Sequence, residues 1–198
     1  PASEKSFTSI GPSVGKELSQ KTVVAIILVA LAIVLYIAFA FRGVSRPVSS
    51  WKYGLIAIAT LVHDIAIPAG VFALLGHFHG AEVDTLFVVA LLTVLGISVS
   101  DTIVVFDRIR ENLKNRIAPT FKETVGMSLN QTFVRSINTS LTVIIMLVAL
   151  YFFGPAATKN FALVLIIGMA FGTYSSIFVA SPLLVIVENA QEKKALKK

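Results

Sequence analysis

TVVAIILVALAIVLYIAFAF, residues 22–41, is a run of twenty residues without a single charge. An α-helix rises about 1.5 Å per residue, so such a run reaches about 30 Å, the thickness of the hydrocarbon core of a bilayer. Four further runs read the same way. Residues 53–75 contain His63 and Asp64, residues 87–106 contain Asp101, residues 133–153 contain Arg135, and residues 161–187 are again uncharged. Strands of a membrane barrel would be about half as long and would alternate polar with apolar residues. The pattern therefore predicts an all-α fold, a polytopic transmembrane helical bundle with five spans. Its joints fall at Arg42-Gly43 with Pro47, at Gly76 and Gly80, and at Gly154-Pro155.

Composition agrees with that reading. Of 198 residues 56% are hydrophobic and 14% charged, against roughly 25% charged in a soluble domain, which leaves too little polar material for a solvated shell. The formal charge of +6 invites a nucleic-acid reading, but the distribution of the basic residues assigns it to topology. Twelve Lys and Arg lie in the first loop (Arg42, Arg46, Lys52), the third (Arg108, Arg110, Lys114, Arg116, Lys122) and the tail (Lys193, Lys194, Lys197, Lys198). Four lie on the opposite side, at Lys5, Lys16, Lys21 and Lys159. The excess marks the cytoplasmic face, so the N-terminus is expected outside and the C-terminus inside, with anionic lipid rather than nucleic acid against the basic loops. Without cysteine, disulfides, Cys-based metal sites and thiol catalysis are excluded. The chain begins at Pro1 and its first apolar run has no basic leader, which reads as a fragment with no removable signal peptide. Residues 107–131 repeat Ile109, Leu113 and Ile117 every four positions with basic residues between them, which predicts an amphipathic segment along the inner membrane surface. Residues 188–198 form a basic tail.

An ionisable side chain inside a span costs about 2.5–3.5 kcal/mol on insertion scales, and by default it faces the bundle interior. Asp64 falls roughly 17 Å into its helix, near the midplane. Asp101 lies roughly 7–8 Å from the inner end of the next span and Arg135 roughly 3 Å from the same side, so a long Arg side chain is expected to reach Asp101. Residues three, four and seven apart share a helix face, which puts Arg135, Asn138 and Thr142 on one stripe, Ser98 and Asp101 on another, and Thr60 and Asp64 on a third, with His63 beside Asp64. Three polar seams on apolar helices should meet in the interior. Two accounts fit: Asp101 and Arg135 form a permanent bridge, or Asp101 carries a proton, since burial favours the neutral carboxyl and a nearby guanidinium favours the ionised one. Gly168 and Gly172, continued by Ser176 and Ala180, make a small-residue stripe suited to close helix packing. His77, His79, Glu82 and Asp84 are possible ligands in an outer loop, but loop histidines are ordinary and no metal or cofactor is assigned beyond protons as the coupling ion.

The run Ser98-Val99-Ser100-Asp101-Thr102-Ile103-Val104-Val105-Phe106-Asp107-Arg108-Ile109-Arg110-Glu111-Asn112 resembles the signature of the SecF family of protein-export membrane subunits. Gly11-Pro12-Ser13-Val14-Gly15 with Glu17-Leu18, Val62-His63-Asp64, and Arg135-Ser136-Ile137-Asn138-Thr139-Ser140 agree with it. The resemblance implies the resistance-nodulation-division superfamily and a bacterial or archaeal cytoplasmic membrane. It also implies a SecD or SecD-like partner half, the Sec translocon channel, and exported polypeptides as substrates, moved with the help of the proton gradient. SecF-like proteins normally have six spans with a large extracytoplasmic domain after the first, so this chain would hold the last five spans, with residues 1–21 as the end of that domain. By position, Asp101 looks like the family's proton-relay carboxylate, Arg135 its basic partner, and Asp64 a further relay or structural candidate. The alternatives are a small-molecule proton antiporter of the same superfamily, a passive scaffold, and an intramembrane aspartyl or serine protease. Covalent enzyme chemistry is not expected, because neither aspartate stands in Gly-x-Gly-Asp and Gly96-Ile97-Ser98-Val99-Ser100 is not Gly-x-Ser-x-Gly.

Overall fold

In the computed structural model residues 12–40, 48–80 and 83–195 are described. Residues 1–11, the first-loop arginines Arg42 and Arg46, Glu82, and Lys197 and Lys198 lie outside them. Among the described residues there is no strand. Six helices follow in order: α1 (Pro12–Ala40), α2 (Ser50–His79), α3 (Thr85–Lys114), α4 (Phe121–Phe153), α5 (Lys159–Ser175) and α6 (Ser181–Ala195). A 3₁₀ turn (Ala156–Thr158) precedes α5, and a π turn (Ser176–Ala180) joins α5 to α6 in one rod. Segments Ser50–Phe78, Thr85–Lys114, Phe121–Phe153 and Ala156–Lys193 are long and apolar enough to cross a bilayer, and α1 carries a further apolar stretch at Ile27–Ile37.

Local chemistry sets the ends. Gly80 closes α2 in the left-handed conformation, φ 67°, which a glycine adopts without a Cβ penalty. Asp84, one of the four loop residues with metal-ligand chemistry, instead caps α3 by accepting from the Phe87 amide at 2.8 Å. Thr120 caps α4 by accepting from the Glu123 amide at 3.2 Å. Pro182 supplies no amide hydrogen and its ring crowds the carbonyl four residues earlier, which an ordinary α-turn cannot accommodate; the rod widens just ahead of it, and Ser181 Oγ donates to the Ser176 carbonyl at 3.1 Å.

Two segments outside the expected spans continue helices of the bundle. The amphipathic stretch 107–131 comprises the last turns of α3, a short connection, and the first turns of α4. Its apolar face meets protein, with Ile109, Phe121 and Val125 buried in one cluster with Tyr53, Phe106 and Leu184. The predicted tail from residue 188 likewise continues α6, with Glu188 buried and Gln191 accepting from Lys52 Nζ on α2. In both places tertiary burial extends a helix past the end of its apolar run.

A second apolar cluster gathers Phe72, Phe87, Val94, Val164 and Leu165, with the Phe72 and Phe87 rings stacked at 4.4 Å. Along α2, α3 and the α5–α6 rod, residues of the two clusters bracket a polar layer. There α5 lies tightly on α3: a Cβ built at Gly168 would stand 2.2 Å from Val94 Cγ2, and one at Gly172 would stand 3.1 Å from Ser98 Cβ. Valine is stiff at χ1 and cannot swing away cheaply. Gly168→Ala is therefore expected to lose about 1–3 kcal/mol by overpacking, and Gly172→Ala less. Denaturing-detergent titration of the purified protein checks this, and a Gly168→Ala protein as stable as the parent would refute the contact.

Candidate functional site

The polar layer is built from hydroxyls around two carboxylates. Asp64, on α2, is 0% exposed. Its Oδ2 accepts from Ser98 Oγ of α3 and from Ser175 Oγ of α5, the latter at 2.7 Å, and its Oδ1 lies 2.9 Å from His63 Nδ1. Asp101, on α3, is half-buried; Oδ1 accepts from Ser136 Oγ of α4 at 2.6 Å and Oδ2 from Ser176 Oγ of the π turn at 2.8 Å. The hydroxyls of Ser140 on α4 and Thr173 on α5 bond each other beside them. Among the described residues no buried side-chain nitrogen or oxygen lacks a partner, so the layer is satisfied and stiff. A cavity of about 280 Å³ opens on it, lined by Ser98, Asp101, Arg135, Ser136, Ser140 and Thr173 among others.

Asp101 and Arg135 thus line one cavity, as their depths suggested, but no ion pair joins them among the described residues. The carboxylate is held by Ser136 and Ser176 instead. The expected stripe of Arg135, Asn138 and Thr142 is exposed. The buried stripe of α4 is Thr132, Ser136 and Ser140, set one residue round the helix. Small hydroxyl side chains let α4 approach α3 and α5 closely, which Arg and Asn in the same places would prevent. Thr60 is buried, but its hydroxyl bonds the Ile56 and Ala57 carbonyls of its own helix rather than Asp64. His63 is half-buried on Asp64, and Ser98 reaches across to Asp64 rather than serving its helix neighbour Asp101. The two aspartates are held by different hydroxyls, Asp64 by Ser98 and Ser175 and Asp101 by Ser136 and Ser176. Of the other loop candidates, Glu82 and the His79 side chain lie outside the described residues.

Ser136 and Ser140 entered the sequence reading only as members of a motif and Ser176 only as a small packing residue, with no role given to their hydroxyls, while Thr173 and Ser175 escaped it. The signal was present. Ser136 and Ser140 stand four apart, and Ser175-Ser176 is a polar dipeptide in an uncharged span.

Long apolar helices packed around two carboxylates that are held by hydroxyls are the build of a polytopic helical membrane protein. Residues 1–190 match the family model described as protein export membrane protein SecD/SecF, C-terminal. The SecF protein translocase subunit of Thermobaculum terrenum is 57% identical over 92% of this chain and 57% of its own length. A crystal structure of SecDF in a super-membrane-facing form superposes with a TM-score of 0.80 at 38% identity, covering 96% of this chain and 24% of that one. A structure of SecDF from Thermus thermophilus, described as a translocon-associated membrane protein, gives 0.79 at 40% identity over 91% and 23%. The chain belongs to the SecD/SecF C-terminal family. It spans little more than half the length of that SecF relative and about a quarter of the SecDF chains.

Proposed function

We propose that this chain is the membrane part of a SecF-like protein-export subunit that uses the proton gradient to assist translocation of secreted polypeptides, with Asp101 as the group that loads and unloads the proton. One observation carries the reading: Asp101 faces a cavity that also holds Arg135, yet its oxygens rest on neutral hydroxyls and not on the guanidinium. A carboxylate locked in a bridge resists protonation, whereas one held by serines with a cation in reserve can exchange a proton and keep a counter-charge within reach. Asp64 is the second carboxylate of the relay, linked to His63. The N-terminus lies outside and the C-terminus in the cytoplasm, in keeping with the bias of basic residues towards one side.

A SecD-like half is the proposed partner. Only 11% of the most apolar stretch of α4 is buried, while Arg135, Asn138 and Thr142 stand exposed on that same helix. Lipid would penalise these groups, and a second bundle against α4 would shelter them. The Sec channel and the exported chain come to this protein by its family alone.

The test is export of a secreted protein by vesicles carrying the full-length complex. Collapse of the proton gradient is expected to slow it, and Arg135→Ala to remove the gradient-dependent part about as completely as Asp101→Asn, while Lys194→Ala changes little. Export indifferent to the gradient, or Arg135→Ala equal to Lys194→Ala, would sink the reading.

A further inference from the structure

The two serines at the entry to the π turn differ from the other carboxylate donors. Ser175 Oγ lies 2.7 Å from Asp64 Oδ2 and also 3.0 Å from the Gly172 carbonyl; Ser176 Oγ lies 2.8 Å from Asp101 Oδ2 and 3.0 Å from the Thr173 carbonyl. A hydroxyl has one hydrogen to donate, so each serine has two acceptors competing for it. The serines are also adjacent, about 100° apart round the rod, which is why neighbouring residues reach carboxylates on two different helices. The Gly172 carbonyl that competes for the Ser175 hydrogen is also the acceptor of the Ser176 backbone amide, and that amide helps to set where Ser176 stands.

We infer that Ser175 and Ser176 couple the two carboxylates, so that a proton taken up by Asp64 alters the hold on Asp101 and the reverse. This inference rests on the relay reading above and adds a positioning role for two residues that hold no charge themselves. When Asp64 is ionised it accepts, and the Ser175 hydrogen points at it. When Oδ2 gains a proton, that oxygen turns donor, the Ser175 oxygen accepts, and the Ser175 hydrogen turns to the Gly172 carbonyl. That carbonyl has two lone pairs and already takes the Ser176 amide, so a fully directed Ser175 bond beside it weakens the amide's share and shifts the turn that presents Ser176 to Asp101. The same exchange at Asp101 sends the Ser176 hydrogen to the Thr173 carbonyl. No bond other than O–H and hydrogen bonds changes, and the proton comes from the cavity or its solvent.

The position in the rod suits such a device. A π turn is a common site of local adjustment, and here Ser181 Oγ already holds the Ser176 carbonyl on the far side of the widened turn. Around the pair, α2 contributes His63 and α4 contributes Arg135. The α5–α6 rod carries no charged side chain between residues 160 and 187, α3 carries none from 85 to 100, and α1 none from 22 to 40. The short hydroxyl path between the aspartates is therefore little obscured by other charges.

The experiment uses the full-length chain with its partner half in lipid vesicles. The protonated-carboxyl infrared band that Asp101→Asn removes is followed against pH. Asp64→Asn is expected to displace the midpoint of that band by about one pH unit, the size that marks strongly interacting sites. In the background of Ser175→Ala with Ser176→Ala the displacement should shrink to less than about a third of that, and Ser175→Thr with Ser176→Thr should restore it because the hydroxyls return. Ser175→Ala alone, the smaller perturbation of packing, should weaken the displacement in the same sense. No displacement by Asp64→Asn, or an equal displacement with and without the hydroxyls, overturns the coupling while leaving the relay standing. Absence of any titrating band that Asp101→Asn removes overturns the relay reading itself.

Discussion

Replacing Asp101 by asparagine is expected to lower gradient-driven export by the full-length complex at least about tenfold. Asparagine keeps the size of the side chain and one acceptor oxygen, so Ser136 and Ser176 can still be served in turn, but it cannot bind or release a proton. The variant should therefore assemble and stay folded while losing the coupling step. A tenfold loss corresponds to about 1.4 kcal/mol, well within the roughly 2.3 kcal/mol that one charge gains in falling through 100 mV, so the gradient holds enough energy for an effect of this size. Vesicle export with and without the gradient reads it directly. A variant that exports at the parental rate and still slows when the gradient collapses would show that Asp101 is not the carrier.

Removing the Asp64 carboxylate should act first on stability. Asp64→Ala deprives Ser98, Ser175 and His63 of their acceptor. Side-chain hydrogen bonds within membrane proteins average about 0.6 kcal/mol because the unfolded chain in the bilayer also finds partners, so three of them amount to about 2 kcal/mol. The space left by the carboxylate adds to this. Asp64→Asn keeps an acceptor oxygen and should lose roughly half as much. Denaturing-detergent titration of the two variants separates these values. Equal stability of parent, Asp64→Asn and Asp64→Ala would mean that the cluster contributes nothing to holding α2, α3 and α5 together.

The same geometry explains which features the amino-acid sequence revealed. Long uncharged runs are legible because a helix in lipid must satisfy its backbone internally, and an aspartate in such a run is legible because its burial is expensive. Rotation of a helix is harder to read. On α4 both the Thr132–Ser136–Ser140 stripe and the Arg135–Asn138–Thr142 stripe are polar, and only the packing decides that the first turns inward in this chain. The reach of α3 past its apolar run was hidden for a related reason: Ile109 and Leu113 have the spacing of a surface helix, and that spacing serves equally well against Phe121 and Val125. Pro182, near the end of the last apolar run, lies just past the π turn, a break the sequence reading passed over, and the turn's consequence, two adjacent serines on two carboxylates, depends on where α2 and α3 stand.

The most direct test of the account is proton movement itself. Vesicles containing the full-length complex and a trapped pH indicator should acidify or alkalinise when a gradient is imposed, and Asp101→Asn should suppress that flux to the level of protein-free vesicles. Flux through Asp101→Asn equal to that of the parent would contradict the assignment of Asp101 as the proton-carrying group.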